Sequence, residues 1–134
     1  MASNIQFCDI VKNNQGSICL EGVQTFFALD FIPGVFSFGL TVMISGYDWN
    51  IPHRIHLELR DPDDMTLLAI DEVSPVPKFD EQVPAKFRSL IGAWQLMNVK
   101  VQSEGVYRVR LYVDSVLDRE QEFYILQRKT ADNQ

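Results

Sequence analysis

Asp61, Asp63 and Asp64 form the densest acidic group in the sequence, within Asp61-Pro62-Asp63-Asp64. Calcium takes about six to eight oxygen ligands, and loops at one end of a β-sandwich can gather them, so this is a candidate calcium loop if Asp48 and Asp114 converge on the same end. The same residues are good hairpin chemistry, because proline sets φ and an aspartate bonds its own backbone. With no second acidic loop of matching density, that is the stronger explanation. His53 and His56 stand three apart, a spacing that suits a metal on a helix. On a strand it sends the two rings to opposite faces, so a shared zinc is not expected. Cys8 and Cys19 lie far from both, and there is no Cys-x-x-Cys pair, Gly-x-Ser-x-Gly elbow, Gly-rich phosphate loop or Cys/His nucleophile motif. No catalytic, cofactor-binding or metal-ligating residue is assigned and no cofactor is expected. An enzyme, whose triad would have to assemble from distant positions, is the least supported reading.

The elements that must position these residues are strands. Phe36, Phe38, Leu40, Val42 and Ile44 alternate with Ser37, Gly39, Thr41 and Met43, a period of two that puts successive side chains on opposite faces. Ile55, Leu57 and Leu59 alternate in the same way, as do Tyr107, Val109, Leu111 and Val113. Further strands are placed over 5–11, 17–24, 65–70, 89–101 and 122–127, about eight in all. Turn chemistry separates them at Asn13-Asn14-Gln15-Gly16, Asp61-Pro62-Asp63-Asp64, Ser103-Glu104-Gly105 and Asp114-Ser115. The pattern predicts an all-β, antiparallel β-sandwich, immunoglobulin-like or Greek-key. Residues 73–88, with Pro75, Pro77 and Pro84, read as the crossover between the two sheets, with a short helical turn near 85–88.

The chain has 134 residues, enough for one domain over 1–128 followed by a polar tail over 129–134. Twelve basic against eighteen acidic residues give a net charge of −6, the wrong sign for neutralising phosphates, so neither nucleic acid nor an anionic membrane surface is an expected partner. No apolar stretch reaches the roughly 20 residues of a membrane span, and the N-terminus lacks the pattern of a secretory signal. A cytoplasmic protein is expected. Two cysteines fit a reducing compartment; whether Cys8 faces Cys19 depends on the register of the hairpin at Asn13-Asn14 and on whether Gly16 forms a bulge.

Ser103-Glu104-Gly105-Val106-Tyr107 places a glycine two residues before a tyrosine at the start of a strand. That arrangement lets a tyrosine hydroxyl bond back across a Greek-key corner, although a core tyrosine after a turn explains it equally. Together with Cys8-Asp9-Ile10-Val11, Gly16, Leu20, Glu21-Gly22-Val23, Gly105-Val106-Tyr107-Arg108-Val109, Val113-Asp114 and Phe123-Tyr124-Ile125, the chain resembles a family of small uncharacterised bacterial β-sandwich proteins. The resemblance implies a fold and no catalytic residues. Such proteins tend to have Asp-Gly at the last hairpin; Asp114-Ser115 fits the positive φ angles of a tight primed turn less well.

The surplus of apolar residues is the remaining clue. The loop containing Tyr47 and Trp49 is a candidate binding loop, with Trp49 capping the core as the favoured alternative. The segment 26–33, with Phe26, Phe27 and Phe31, is too apolar for a solvated connection. The strand over 89–101 is apolar on both faces, with Leu90, Trp94 and Leu96 on one side and Ile91, Ala93, Met97, Val99 and Val101 on the other, unless a bulge near Asn98 switches the register. A sandwich strand has one core face, so the second needs a cover, from the crossover or from another subunit. The expectation is a non-enzymatic interaction module that self-associates, as a dimer, through Phe26, Phe27, Phe31, Ile91, Met97 and Val99. The alternative is a ligand-binding sandwich that takes calcium, carbohydrate or a small molecule at Tyr47, Trp49, Asp61, Asp63 and Asp64.

Overall fold

A computed structural model describes residues 3–129 except 16, 75 and 77. Gly16, Pro75, Pro77 and the tail beyond Lys129, singled out above, lie outside the described residues. The strands are β1 (Asn4–Cys8), β2 (Ile10–Asn14), β3 (Ser17–Glu21), β4 (Phe26–Leu29), β5 (Gly34–Ile44), β6 (Arg54–Arg60), β7 (Thr66–Val73), β8 (Leu90–Val101), β9 (Gly105–Val113) and β10 (Val116–Gln127). A 3-10 turn, Ala85–Phe87, interrupts the crossover where a helical turn is expected. Among the described residues no helix is long and apolar enough to cross a membrane.

Alternation in the sequence becomes two facing sheets. The small sheet has the order β1-β5-β8 and the large one β4-β10-β9-β6-β7, while β2 and β3 form a separate ribbon. The inner faces share one core: Ile5, Phe7, Phe38, Leu40, Val42 and Ile44 from the small sheet meet Ile55, Leu57, Leu59, Val109, Leu111 and Ile125 from the large one. At one end the core is aromatic. Phe123 lies 4.5 Å from Phe7, 5.4 Å from Phe38 and 5.8 Å from Tyr107, centroid to centroid, spacings at which tilted rings attract beyond their buried area.

The architecture is the sandwich expected, with ten strands rather than eight. One extra strand comes from a break at Asp9, whose N–H donates to the carbonyls of Glu21 and Gly22 and so ends β1 before β2 begins. The other is β4, which pairs parallel with β10, Phe27 opposite Ile125. A continuous apolar run without alternation hid it, and its partner lies almost at the other end of the chain. Phe27 is buried in the core, which removes it from the expected interface.

The strand over 90–101 does carry the bulge. Phe36 pairs with Val99 but Phe38 with Leu96, Asn98 adopts φ +55°, and its N–H donates to Ser37 Oγ at 3.0 Å. The extra residue switches the face of everything after it. Val99 and Val101 therefore turn into the core, and Val99, too, leaves the expected interface.

Two turns resolve as well. Asn14 pairs with Ser17 and Gln15 has φ +52°, so Asn13 and Asn14 belong to the paired strand and the first hairpin turns after them. In that register Cys19 faces Lys12, while Cys8 pairs with Gly39; both thiols are free. At the last hairpin Asp114 and Ser115 have φ +51° and +69°, the signature of a type I′ turn, so the serine accepts the conformation expected to suit glycine.

Candidate functional site

At one end of the sandwich the β5–β6 loop folds back against the β9–β10 turn. His53, 6% exposed, donates from Nδ1 to Asp114 Oδ2 at 2.6 Å and from Nε2 to the Asp48 carbonyl at 2.6 Å. A carboxylate and a carbonyl can only accept, so both ring nitrogens carry hydrogen and the ring is an imidazolium. Burial alone would lower the His53 pKa; the bonds to Asp114 and Asp48 outweigh it and raise the value. The other Asp114 oxygen accepts the Arg54 N–H at 2.9 Å, and Asp114 is held below the usual carboxylate range by the His53 and Arg54 bonds. Tyr47 donates to Asp118 Oδ2 at 2.5 Å, and desolvation followed by that neighbouring carboxylate pushes its phenol up. Asp118 is the unpaired residue where the β10 register shifts, so the bulge aims it at Tyr47. Trp49 is buried, with its indole N–H on the Arg88 carbonyl at 3.2 Å.

This cluster resembles an acid–base dyad but has no free nitrogen with which to take a proton from a substrate. Its chemistry is cohesive: it fastens the loop to the turn, and Trp49 caps the core. The sequence signal for His53 and Asp114 was their register rather than their spacing, because pairing Ile55 with Val113 sets residues 53–54 beside 114.

The acidic loop lies at the opposite end. β6 separates Asp48 and His53 from Asp61, and seven residues at about 3.3 Å each place the two ends some 20 Å apart. Tyr47 and Trp49 therefore share no pocket with Asp61, Asp63 and Asp64, and Asp48 and Asp114 do not complete a shell with them. Asp61 Oδ1 accepts the N–H groups of Asp63 and Met65, each at 2.9 Å, while Asp64 sits 3.6 Å from Arg60 and 3.4 Å from Arg110. Nearby, the Tyr107 hydroxyl donates to the Ser103 carbonyl at 2.7 Å, which is the corner bond that the Gly-x-Tyr spacing suggested.

The outer faces of the two sheets differ. On the large sheet charges of both signs interleave: Arg54 with Asp71, Glu58 with Arg60 and His56, Glu120 with Arg108 and Arg110. His56 thus faces outward while His53 faces in. On the small sheet the outward rows are Asn4, Met43 and Ile91, then Gln6, Thr41 and Ala93, then Cys8, Gly39 and Gln95. The β2–β3 ribbon lies over the third row. Gly39 makes this possible, since a Cβ there would come within 2.5 Å of Cys8 Sγ and 2.6 Å of Val11 Cγ2. Gln95 then clamps the ribbon, accepting the Val11 N–H and donating to the Asp9 carbonyl. Asn4, Gln6, Thr41, Met43 and Ile91 of the first two rows floor a groove of about 580 Å³, with Ile18 and Leu20 of β3 as its wall. Of the expected interface residues, Ile91 and Met97 are exposed on β8, Phe26 is exposed beside its partner Tyr124 on the β4 edge, and Phe31 is exposed in the 30–33 turn. They do not form one patch. Met43, unflagged by the sequence because it alternates as an outward residue should, joins Ile91 as its cross-strand partner.

Residues 4–126 match a family described as Family of unknown function (DUF6941). No curated protein matches the chain.

Proposed function

The chain belongs to this family of unknown function, and on that premise we propose that it is a non-enzymatic interaction module that self-associates through its small sheet. One observation carries the reading: the middle strands of the large sheet turn a charge-paired face to water, whereas the small sheet floors a groove with no charged residue in its lining, where Met43 and Ile91 stand exposed. Exposed apolar residues set in a neutral hollow of a small domain are a usual mark of a contact surface. The setting is a bacterial cytoplasm, where free thiols such as Cys8 and Cys19 stay reduced.

Light scattering after size exclusion tests the proposal. A particle of twice the 15.4 kDa chain mass at micromolar concentration is expected, and a particle of one chain mass overturns it.

A further inference from the structure

We infer that two copies join edge to edge, β8 pairing antiparallel with β8 of the second copy, so that two three-stranded sheets become one of six strands. This rests on the self-association proposed above and places the seam at the edge of the small sheet, beside its outer face.

The four sheet edges differ in how they are protected. β1 has five residues, and Gln24 already donates to the Phe7 carbonyl on its outer side. β4 has only four residues. β7 has eight, but it carries Asp71 and Glu72, and pairing it with itself would gather carboxylates between copies that are each charged −6. β8 runs for twelve residues, and among the described residues β5 alone pairs with it. Residues 90–99 contain no charged residue and no proline, the usual guards of an edge. Its one interruption is the bulge at Asn98, which leaves 90–96 as the segment able to pair.

A free row of N–H and C=O groups asks for another extended backbone, and a neutral strand can meet its own copy without opposing like charges. On an acidic protein this makes β8 the edge at which two copies approach at least electrostatic cost. Beside it, Ile44, Ile55, Leu90 and Trp94 line an apolar hollow of about 190 Å³, with Glu72 at its rim on the Trp94 indole. Burying that hollow adds apolar area to the backbone pairing.

Residues opposed across a strand pair share a face, so the two-fold axis must pass midway between a residue and its own copy, and one of 91–95 faces itself across the seam. With Cys19→Ser removing the exposed thiol, single variants Ile91→Cys, Gly92→Cys, Ala93→Cys, Trp94→Cys and Gln95→Cys are oxidised mildly. Crosslinking is expected to peak several-fold at one position and fall on either side. Because Gly92, Trp94 and Gln95 have structural contacts, amide hydrogen exchange of the unaltered chain provides a second measure: alternate amides of 90–96 should gain protection as concentration rises. A dimer by light scattering with no crosslinking peak and no such protection overturns the edge pairing and leaves self-association standing. A monomer overturns both.

Discussion

His53 Nδ1 lies 2.6 Å from Asp114 Oδ2, and this contact joins a loop to a turn that are 61 residues apart in sequence. Its consequence follows from the second ring nitrogen. With Nε2 on the Asp48 carbonyl the ring cannot lose a proton without leaving one acceptor facing a bare nitrogen lone pair. A charge is thus held inside the fold as a fastening, with Tyr47 and Trp49 packed against the ring at 5.5 and 5.2 Å.

Stability is expected to decline on the alkaline side of neutrality. A histidine whose folded pKa is raised contributes fully below its unfolded value of about 6.5 and loses that contribution as pH rises through the folded value. Melting temperature should fall from pH 6.5 upward, and His53→Gln should flatten the curve over the same window. The window ends near pH 8.5, where the unfolded chain begins to ionise Cys8, whose pKa burial and then Asp9 raise in the fold.

Asp114→Asn separates charge from shape. Asparagine suits the positive φ of the turn and keeps one oxygen for the Arg54 N–H, but where Asp114 offers His53 its second oxygen it presents an NH2 donor, which only a neutral ring nitrogen can accept. Charged hydrogen bonds exceed neutral ones by about 1 kcal/mol, so urea unfolding at pH 6 should show a loss of about that size, and a smaller one at a second pH above the folded His53 value, where the wild-type ring is neutral too. An equal loss at both pH values would show that the carboxylate charge is immaterial.

Tyr107→Phe keeps the ring in the core and removes only the hydroxyl bond to Ser103. Ser103 is exposed, so water replaces the lost donor and the cost should be about 1 kcal/mol, or roughly 3–5 °C for a domain of this size. Chemical denaturation with an unchanged m value is the check.

Much of the sandwich was legible because alternation survives wherever one face meets core and the other meets water. β6 and β9 show this, and so does the Tyr107 corner, whose partners are four residues apart. What escaped were features decided across the sheets. β4 has a buried parallel partner and no alternation of its own, and the fate of Val99 hinges on a single bulged residue, Asn98. Tyr47 finds Asp118 only because the β10 register shifts between Leu117 and Arg119. The candidate loop residues do not share a pocket because Tyr47 and Trp49 stand at one end of β6 and Asp61, Asp63 and Asp64 at the other, a separation that residue type does not reveal.

Ser115→Gly should stabilise the fold. Ser115 holds φ +69°, a left-handed conformation that a residue with a Cβ adopts at a cost and glycine adopts freely. Part of the gain is lost to the greater freedom of glycine in the unfolded chain, leaving a net of about 0.5–1 kcal/mol. Ser115→Val, with a branched side chain at the same φ, should destabilise; a rise in melting temperature for valine would refute the turn assignment.

The aromatic core supplies the sharpest contrast between neighbouring phenylalanines. Phe38 is wholly buried and lies within 6.4 Å, centroid to centroid, of Phe7, Phe27, Phe36 and Phe123. Phe31, seven residues earlier, is 78% exposed. Phe38→Ala removes a ring from among four others and leaves a cavity that rigid sheets cannot close, so a loss of about 3–5 kcal/mol is expected. Phe31→Ala should change stability by less than about 0.5 kcal/mol. Both are read from urea unfolding at a protein concentration low enough to hold the chain in one oligomeric state. A large cost at Phe31 would mean that the exposed ring is covered in solution, and its disappearance on dilution would identify the cover as a second copy.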